Sequence, residues 1–415
     1  MTGQREQLAL QEFGLLEVAL RADDVRELLA AGESAIELSP TRDAGRFRIS
    51  ALGKVGTIAT SRYEIRIRPK IPIANVLVML EPAIPLIEFR SDFVGFGAAD
   101  DVAPAVAGYF TRLATHTLNR GVLRDYVRTE DALAALRGRV RLAHQLRRHL
   151  PIPIDCEFDE YSVDIPLNRL LKAATRRLMR VPGIGDLNRD ALGRLIDRLG
   201  DVRDSAPSTQ EFLRRGFNRL NAYYEPAVRL ASMILEERTL DHAPGGTTAS
   251  AFLIDMSRVF EVFLELRVRQ ALRGLLGVQA QLSDHLDVER RIDVRPDLVF
   301  EDRGRAVYVA DAKYKASPGP NGVQSDVYQL RAYTTAFGVD EGALIYAHGS
   351  DDVPAREIRV KHGSKTIQVR RINLGGDANA LRTAAEELAS WIAERASVRD
   401  SARRTWHGEA QHGAA

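Results

Sequence analysis

The sequence predicts a multidomain α+β / α/β protein. A β-rich N-terminal domain spans residues 1–102 and a mainly helical middle region spans 103–244. A mixed sheet flanked by helices follows over 245–375, and a C-terminal helix with a polar tail over 376–415. Three observations predict this. Apolar and polar residues alternate between Phe47 and Arg68, the period of half-buried strands. "NRLLKAATRRLMRV" repeats its apolar residues at helical spacing. Beyond "HAPGGTTAS" (242–250) the pattern runs helix, strand, strand, helix, strand.

In chain order, alternating runs at Phe47–Ala51, Val55–Ala59 and Tyr63–Arg68 read as three strands. Ser61-Arg62 reads as a tight turn, and Pro69 and Pro72 end the pattern. "ANVLVMLEPA" reads as a short helix. Leu170, Leu171, Ala174 and Leu178 share a helical face, with Asp164 or Asn168 as the start signal and Pro182-Gly183 as the stop. "FNRLNAYYEPAVRLASMILEE" reads as a helix interrupted near Pro226, and "DCEFDEYSVDIPLNR" as an acidic segment without helical period. "HAPGGTTAS" reads as a linker. "FLIDMSRVFEVFLELRVRQALRGLLG" reads as one helix, "RIDVRPDLVF" and "RAVYVADAKYK" as strands joined by "EDRG", and "SDVYQLRAYTTAFG" as a helix. "GALIYAH" and "TIQVRRINL" are further strands, and an amphipathic helix lies near 378–396.

Composition bounds the function. The single cysteine, Cys156, excludes a disulfide framework and any all-cysteine metal cluster, which fits a reducing cytoplasm. No apolar run approaches the ~20 residues that span a bilayer, so a soluble, cytoplasmic protein without a membrane role is expected. A net charge of +2 does not announce nucleic-acid binding. Locally, Arg112–His149 carries nine arginines and three histidines against Asp125, Glu130 and Asp131. Such a stretch suits phosphate contact or a solvated helical face.

The charged residues of the C-terminal third form a pattern. Pro296-Asp297 is followed, after 13 residues, by Asp311-x-Lys313. Glu261 lies on the preceding helix, and Gln329 and Tyr333 lie four apart on the next, so they share a face. Two carboxylates on neighbouring strands suit a hard divalent cation, and an adjacent lysine suits orientation of a water or stabilisation of developing negative charge. Such groups are what phosphodiester hydrolysis needs. A hairpin that sets Asp297 opposite Val309 brings Asp297 and Asp311 to one face, a diagonal step apart; a shift of one residue separates them. Lys315, on the same face of the strand, reads as a phosphate contact or a solvated lysine.

Residues 252–348 resemble a nuclease domain of the PD-(D/E)xK superfamily, and Gln329-x-x-x-Tyr333 resembles the extra motif of RecB-like members. The chain is also similar to the McrC family, endonuclease subunits of McrBC modification-dependent (5-methylcytosine) restriction systems. The residues that carry this likeness are "FLIDMSRVFEVFLE", "RPDLVF", "ADAKYK" and "DVYQLRAY", with "IRIRPKI", "RGVLRDYV", "ALRGRV" and "FDEYSVDIPLNRLLKAA" upstream, in the family's order. The extreme ends do not match.

The resemblance implies a PD-(D/E)xK nuclease core that cleaves DNA with Mg²⁺ or Mn²⁺. It implies Asp297 and Asp311 as metal ligands, Glu261 as an auxiliary acid of the metal set that ligates through water or positions the first helix, and Lys313 as the catalytic lysine. Gln329 and Tyr333 would orient substrate or the lysine. It implies as partners an oligomeric McrB-type AAA+ GTPase, which binds the GTP and on which the N-terminal region docks to stimulate hydrolysis, and double-stranded DNA carrying modified cytosine. Dimerisation on DNA would supply two active sites for a double-strand break. No G-x-x-x-x-G-K-[ST] loop is present, and "HGSKT" at 362–366 lacks the spacing, so an energy-driven role needs the partner. Two alternatives remain open: a non-catalytic regulatory subunit of an AAA+ complex, and a stand-alone repair nuclease of the same fold.

Overall fold

A computed structural model of the chain describes residues 5–32, 34–80, 101–147, 151–205, 217–236, 250–315, 322–348, 355–361 and 363–412. The chain divides into two compact units, Met1–Ala105 with Thr239–Ala415, and Val106–Arg238. The expected linker, "HAPGGTTAS", lies outside the described residues apart from its final serine.

The first unit begins with β1 (Glu6–Gln11), β2 (Leu15–Ala19), α1 (Ala22–Gly32), β3 (Ile36–Pro40), β4 (Arg46–Ala51), β5 (Lys54–Ala59), β6 (Tyr63–Arg68) and α2 (Ile73–Leu80). The three alternating runs of the sequence are β4, β5 and β6, each within a residue of its expected ends. β2, β4 and β3 form an antiparallel sheet, while β1 pairs parallel to β6. Leu28 of α1, Ile36, Ile49, Ile58, Tyr63 and Ile65 are buried in one core.

The second unit contains most of α3 (Val102–Leu118), then β7 (Asp125–Leu133), β8 (Arg139–Val140), α4 (Leu142–Gln145), β9 (Ile154–Ser162), α5 (Pro166–Met179), α6 (Asp186–Arg198) and α7 (Glu225–Glu236). Beside its helices the middle region holds an antiparallel sheet, β7-β9-β8, that the sequence reading did not place. β7 is exposed along most of its length, and in β9 only Cys156 and Phe158 are buried before the charged residues that follow, so the period of two is short. The arginine-rich stretch runs from the end of α3 through β7 and β8 to α4, so its arginines are shared between helix and strand. Its arginines meet the acids of the sheet, in the pairs Arg128–Glu157 and Arg141–Glu130. α5 starts on Pro166 at its first position rather than on an Asp or Asn cap. Asn168 instead donates to the carbonyls of Leu123 and Val163, and Asp164 binds Arg169. Pro226 opens α7 instead of interrupting a longer helix.

The first unit resumes with β10 (Ser250–Asp255), α8 (Met256–Ala271), β11 (Gly277–Ala280), β12 (Asp284–His285), β13 (Asp293–Val294), β14 (Leu298–Asp302) and β15 (Arg305–Lys313). It ends with α9 (Gly322–Ala336), β16 (Glu341–His348), β17 (Arg356–Arg359), β18 (Thr366–Asn373) and α10 (Ala378–His412). A six-stranded mixed sheet runs β11-β14-β15-β16-β18-β17, with β15, β16 and β18 parallel. Val309 packs with Leu330 and Tyr333 of α9, whereas the neighbouring Tyr308 meets Trp391 of α10. Strand alternation therefore puts α9 and α10 on opposite faces.

One expected helix is two elements. The apolar run Ala251–Ile254 is strand β10, paired antiparallel with β5, and α8 begins only at Met256. The Asp255 carboxylate caps it, accepting from the Ser257 and Arg258 amides at 2.9 and 3.2 Å. The N-terminal sheet is thus β1-β6-β5-β10, and its last strand comes from the segment assigned to the C-terminal core. Among the described residues no helix is long and apolar enough to cross a membrane.

Candidate active site

β14 and β15 are joined by Arg303-Gly304, both with positive φ (49° and 76°), the geometry that matches strand twist in a two-residue hairpin. Asp302 pairs with Arg305 and Glu301 with Ala306; the ladder then resumes at Phe300 and Tyr308, leaving Val307 without a partner. Pairing counted strictly from the turn sets Asp297 against Ala310, and Asp311 on the other face. The bulge moves the register by one. Leu298 then meets Ala310, and the next residues along, Asp297 and Asp311, stand across from each other on one face. The sequence expectation of Asp297 opposite Val309 is off by two residues along β15. The parity holds, so the two carboxylates share a face more closely than expected.

The same face carries Lys313. Its Nζ lies 2.5 Å from Asp311 Oδ2 and donates to Gln329 Oε1 at 2.8 Å. Gln329 Nε2 donates to Tyr333 Oη at 2.9 Å, which fixes the amide with its oxygen toward the lysine. Asp297 Oδ2 accepts from the Ala312 amide at 2.8 Å, and the Asp297 carbonyl accepts from the Gln281 amide at 3.0 Å. Gln281 holds a left-handed φ of 48°, and its side chain donates to Glu261 Oε2 at 3.3 Å. Glu261 also pairs with Arg258 at 3.2 Å. The site thus gathers all six sequence candidates at the end of the central strands.

Its electrostatics have one sign. Burial pushes the Asp311 carboxyl up from its ordinary range, and the charge of Asp297 pushes it further. Burial and then the charge of Glu261 raise Asp297. Glu261 is raised by burial, with Arg258 opposing. Tyr333 is pushed up to about 12 by burial and by both aspartates, so its hydroxyl stays protonated at neutral pH. Three acids face one lysine where water solvates them poorly. A divalent cation relieves such repulsion, and carboxylate oxygens are its preferred donors, so Asp297 and Asp311 fit one. Among the described residues no three His, Cys, Asp or Glu side chains converge as a ready metal cage. Glu261 stands to the side, held by Arg258 and Gln281.

Lys315, whose side chain is still partly exposed, has a partner that the sequence did not reveal. Its Nζ lies 2.7 and 2.9 Å from the two oxygens of Asp326, a carboxylate only 3% exposed. Tyr346 Oη donates to the same group at 2.6 Å. Asp326 was missed by sequence reasoning, although it stands one turn before Gln329 on the same helix. Glu12 and Lys70, which approach the end of β15 from the N-terminal sheet, were missed for want of any local signal.

A family model described as "McrBC 5-methylcytosine restriction system component" matches residues 49–347. No curated protein matches the chain. Among solved structures, the chain is similar to one from Thermococcus gammatolerans, described as a refined half-complex from a tetradecameric assembly of McrB AAA+ hexamers with bound McrC. That match has a TM-score of 0.52 and 19% identity, covering 92% of this chain and 100% of that one. A second is the cryo-EM structure of the T. gammatolerans McrBC complex, with a TM-score of 0.42 and 22% identity, covering 64% of this chain and 88% of that one. At 19% identity the first of these likenesses is one of fold.

Proposed function

The chain belongs to the family of McrBC 5-methylcytosine restriction system components, as its McrC member, and from that premise we propose that it is the Mg²⁺-dependent DNA endonuclease subunit. On this reading it works in complex with an McrB-type AAA+ GTPase, whose hydrolysis it stimulates, in restricting DNA with methylated cytosine. The observation that carries the nuclease reading is the pairing of Asp297 with Asp311 on adjacent strands, with Lys313 held between Asp311 and Gln329. The absence of a phosphate loop in the sequence supports a partner that binds the GTP, and the likeness to a chain from an assembly of McrB AAA+ hexamers with bound McrC fits that partner.

Asp297 and Asp311 would hold the cation, Mg²⁺ or Mn²⁺. When bound, it supplies positive charge for the transferred phosphoryl group and acidifies nearby water. The remaining work falls to the chain. The Lys313 ammonium has three donors, two of which are directed at Asp311 and Gln329; the third is free for a phosphate oxygen or the attacking water. Gln329, oriented by Tyr333, keeps that ammonium from collapsing wholly onto the aspartate. Glu261 acts from a distance, adding negative charge that favours cation binding.

The test uses the complex with its AAA+ partner, methylated and unmethylated plasmid, Mg²⁺ and GTP. Asp311→Ala should abolish cutting and Lys313→Ala should reduce it by about 10²- to 10³-fold, while GTP hydrolysis continues. Normal cutting by both variants would remove the proposed site. A wild-type chain that never cuts yet stimulates GTP hydrolysis would establish the regulatory alternative instead.

A further inference from the structure

β15 ends at Lys313, and the next two residues leave the hydrogen-bond ladder. Tyr314 and Lys315 still need placing, because their side chains alternate about the strand. Lys313 and Lys315 point toward α9. Tyr314 points the other way, where it is 4% exposed against Phe260 of α8.

The groups that hold it come from the N-terminal sheet. Tyr314 Oη donates to Glu12 Oε2 at 3.0 Å, and Glu12 is itself 4% exposed just past β1. The Lys70 amide donates to the same oxygen at 3.2 Å. Lys70 Nζ sits 4.2 Å from the centre of the Tyr314 ring and 5.2 Å from that of Phe13. The same ammonium donates to the Lys315 carbonyl at 2.7 Å, replacing the partner that the sheet no longer supplies. Lys70 belongs to the "IRIRPKI" stretch, which the nuclease chemistry above leaves without a role.

We infer that Lys70 and Glu12 are positioning residues for cleavage: they fix Tyr314 and the Lys315 carbonyl from one side, and so set the direction of Lys313 on the other. This arrangement is costly as mere adhesion. Burial lowers the affinity of Lys70 for its proton and pushes the Glu12 carboxyl up to about 7. An apolar pair would join the two parts of the unit at less expense. A lysine donor to a strand-end carbonyl gives directional control that an apolar contact lacks.

The inference rests on the nuclease reading, and the test separates the two. In the complex with the AAA+ partner, single-turnover cleavage of methylated plasmid is measured with Mg²⁺ and GTP, alongside DNA binding, GTP hydrolysis and thermal melting. Lys70→Met should slow cleavage by about tenfold to a hundredfold, the scale of a small misplacement, with DNA binding and GTP hydrolysis unchanged. Glu12→Leu removes the acceptor for Tyr314 and should slow cleavage on the same scale, whereas Glu12→Gln, which keeps one, should recover most of the rate; equal rates for the two would overturn the role of Glu12. Lys70→Met added to Lys313→Ala should cause no further loss, because both act through one side chain. Wild-type cleavage by Lys70→Met, with Asp311→Ala inactive, overturns this inference alone. Additive losses in the double variant, or joint loss of cleavage and GTP hydrolysis, reduce Lys70 to a structural staple and overturn it too. Normal cutting by Asp311→Ala removes the nuclease reading itself.

Discussion

Asp311 and Glu12 are both buried acids, and each leads to a measurement of its own. Asp311 sits beside Asp297 with one lysine between the pair and α9. Adding Mg²⁺ should therefore raise the melting temperature of the wild-type chain. It should leave that of Asp311→Asn unmoved, which reads cation binding without any cleavage assay. Lys313→Ala keeps both carboxylates, so the melting response to Mg²⁺ should persist while cleavage falls by about 10²- to 10³-fold. Glu12 bears on pH. Its carboxyl is raised from 4.5 to about 7, chiefly by burial. The folded state therefore keeps this proton more tightly than the unfolded one. Stability falls as pH rises from 4.5 toward 7 and stays lower above it. The penalty at alkaline pH is about 3 kcal/mol. Glu12→Gln should flatten that slope, so its melting temperature exceeds wild type at pH 8 and converges with it near pH 4.5. Parallel melting curves for the two proteins across that range would contradict the assignment.

The brace formed by Lys315, Asp326 and Tyr346 ties strand β15 to helix α9. Asp326→Asn should leave Lys315 and Tyr346 poorly matched, costing about 1–3 kcal/mol. Gln329 lies one turn further along α9, so cleavage should drop by roughly tenfold, and a rate equal to wild type would show that α9 is held by its apolar packing alone. Much of this was legible in the sequence. Asp297, Asp311, Lys313, Gln329 and Tyr333 carry charge or polarity at spacings that only a hairpin followed by a helix brings together. The register was not legible, because it turns on an unpaired residue, Val307, that looks like any other strand residue. Strand β10 was hidden for a different reason. A short apolar run continuous with a helix has no period of its own, and its partner β5 lies far away in sequence. Asp326 went unremarked because its partners lie elsewhere in the chain, Lys315 just past β15 and Tyr346 on β16.

The pairing of β5 with β10 makes one core out of the two ends of the chain. Ala251 and Leu253 of β10 are buried among Leu28, Ile49, Ile58 and Ile65. Gly56 allows the approach: it has φ +135°, and a Cβ there would stand 2.1 Å from the Phe252 carbonyl oxygen. That clash is with backbone, which cannot rotate aside. Gly56→Ala should therefore destabilise the first unit by about 1–3 kcal/mol. The consequence should not stop at stability. β10 runs directly into the Asp255 cap of α8, and α8 carries both Glu261 and the Phe260 ring that packs on Tyr314. A displaced β10 shifts those groups against the end of β15, so cleavage should fall in Gly56→Ala even at temperatures where the protein is fully folded. The same logic predicts that a chain begun at residue 245 loses its cooperative melting transition, since β10 would lack β5 and Tyr314 would lack Glu12 and Lys70. A native-like transition in that fragment would mean that the C-terminal sheet folds without the N-terminal one.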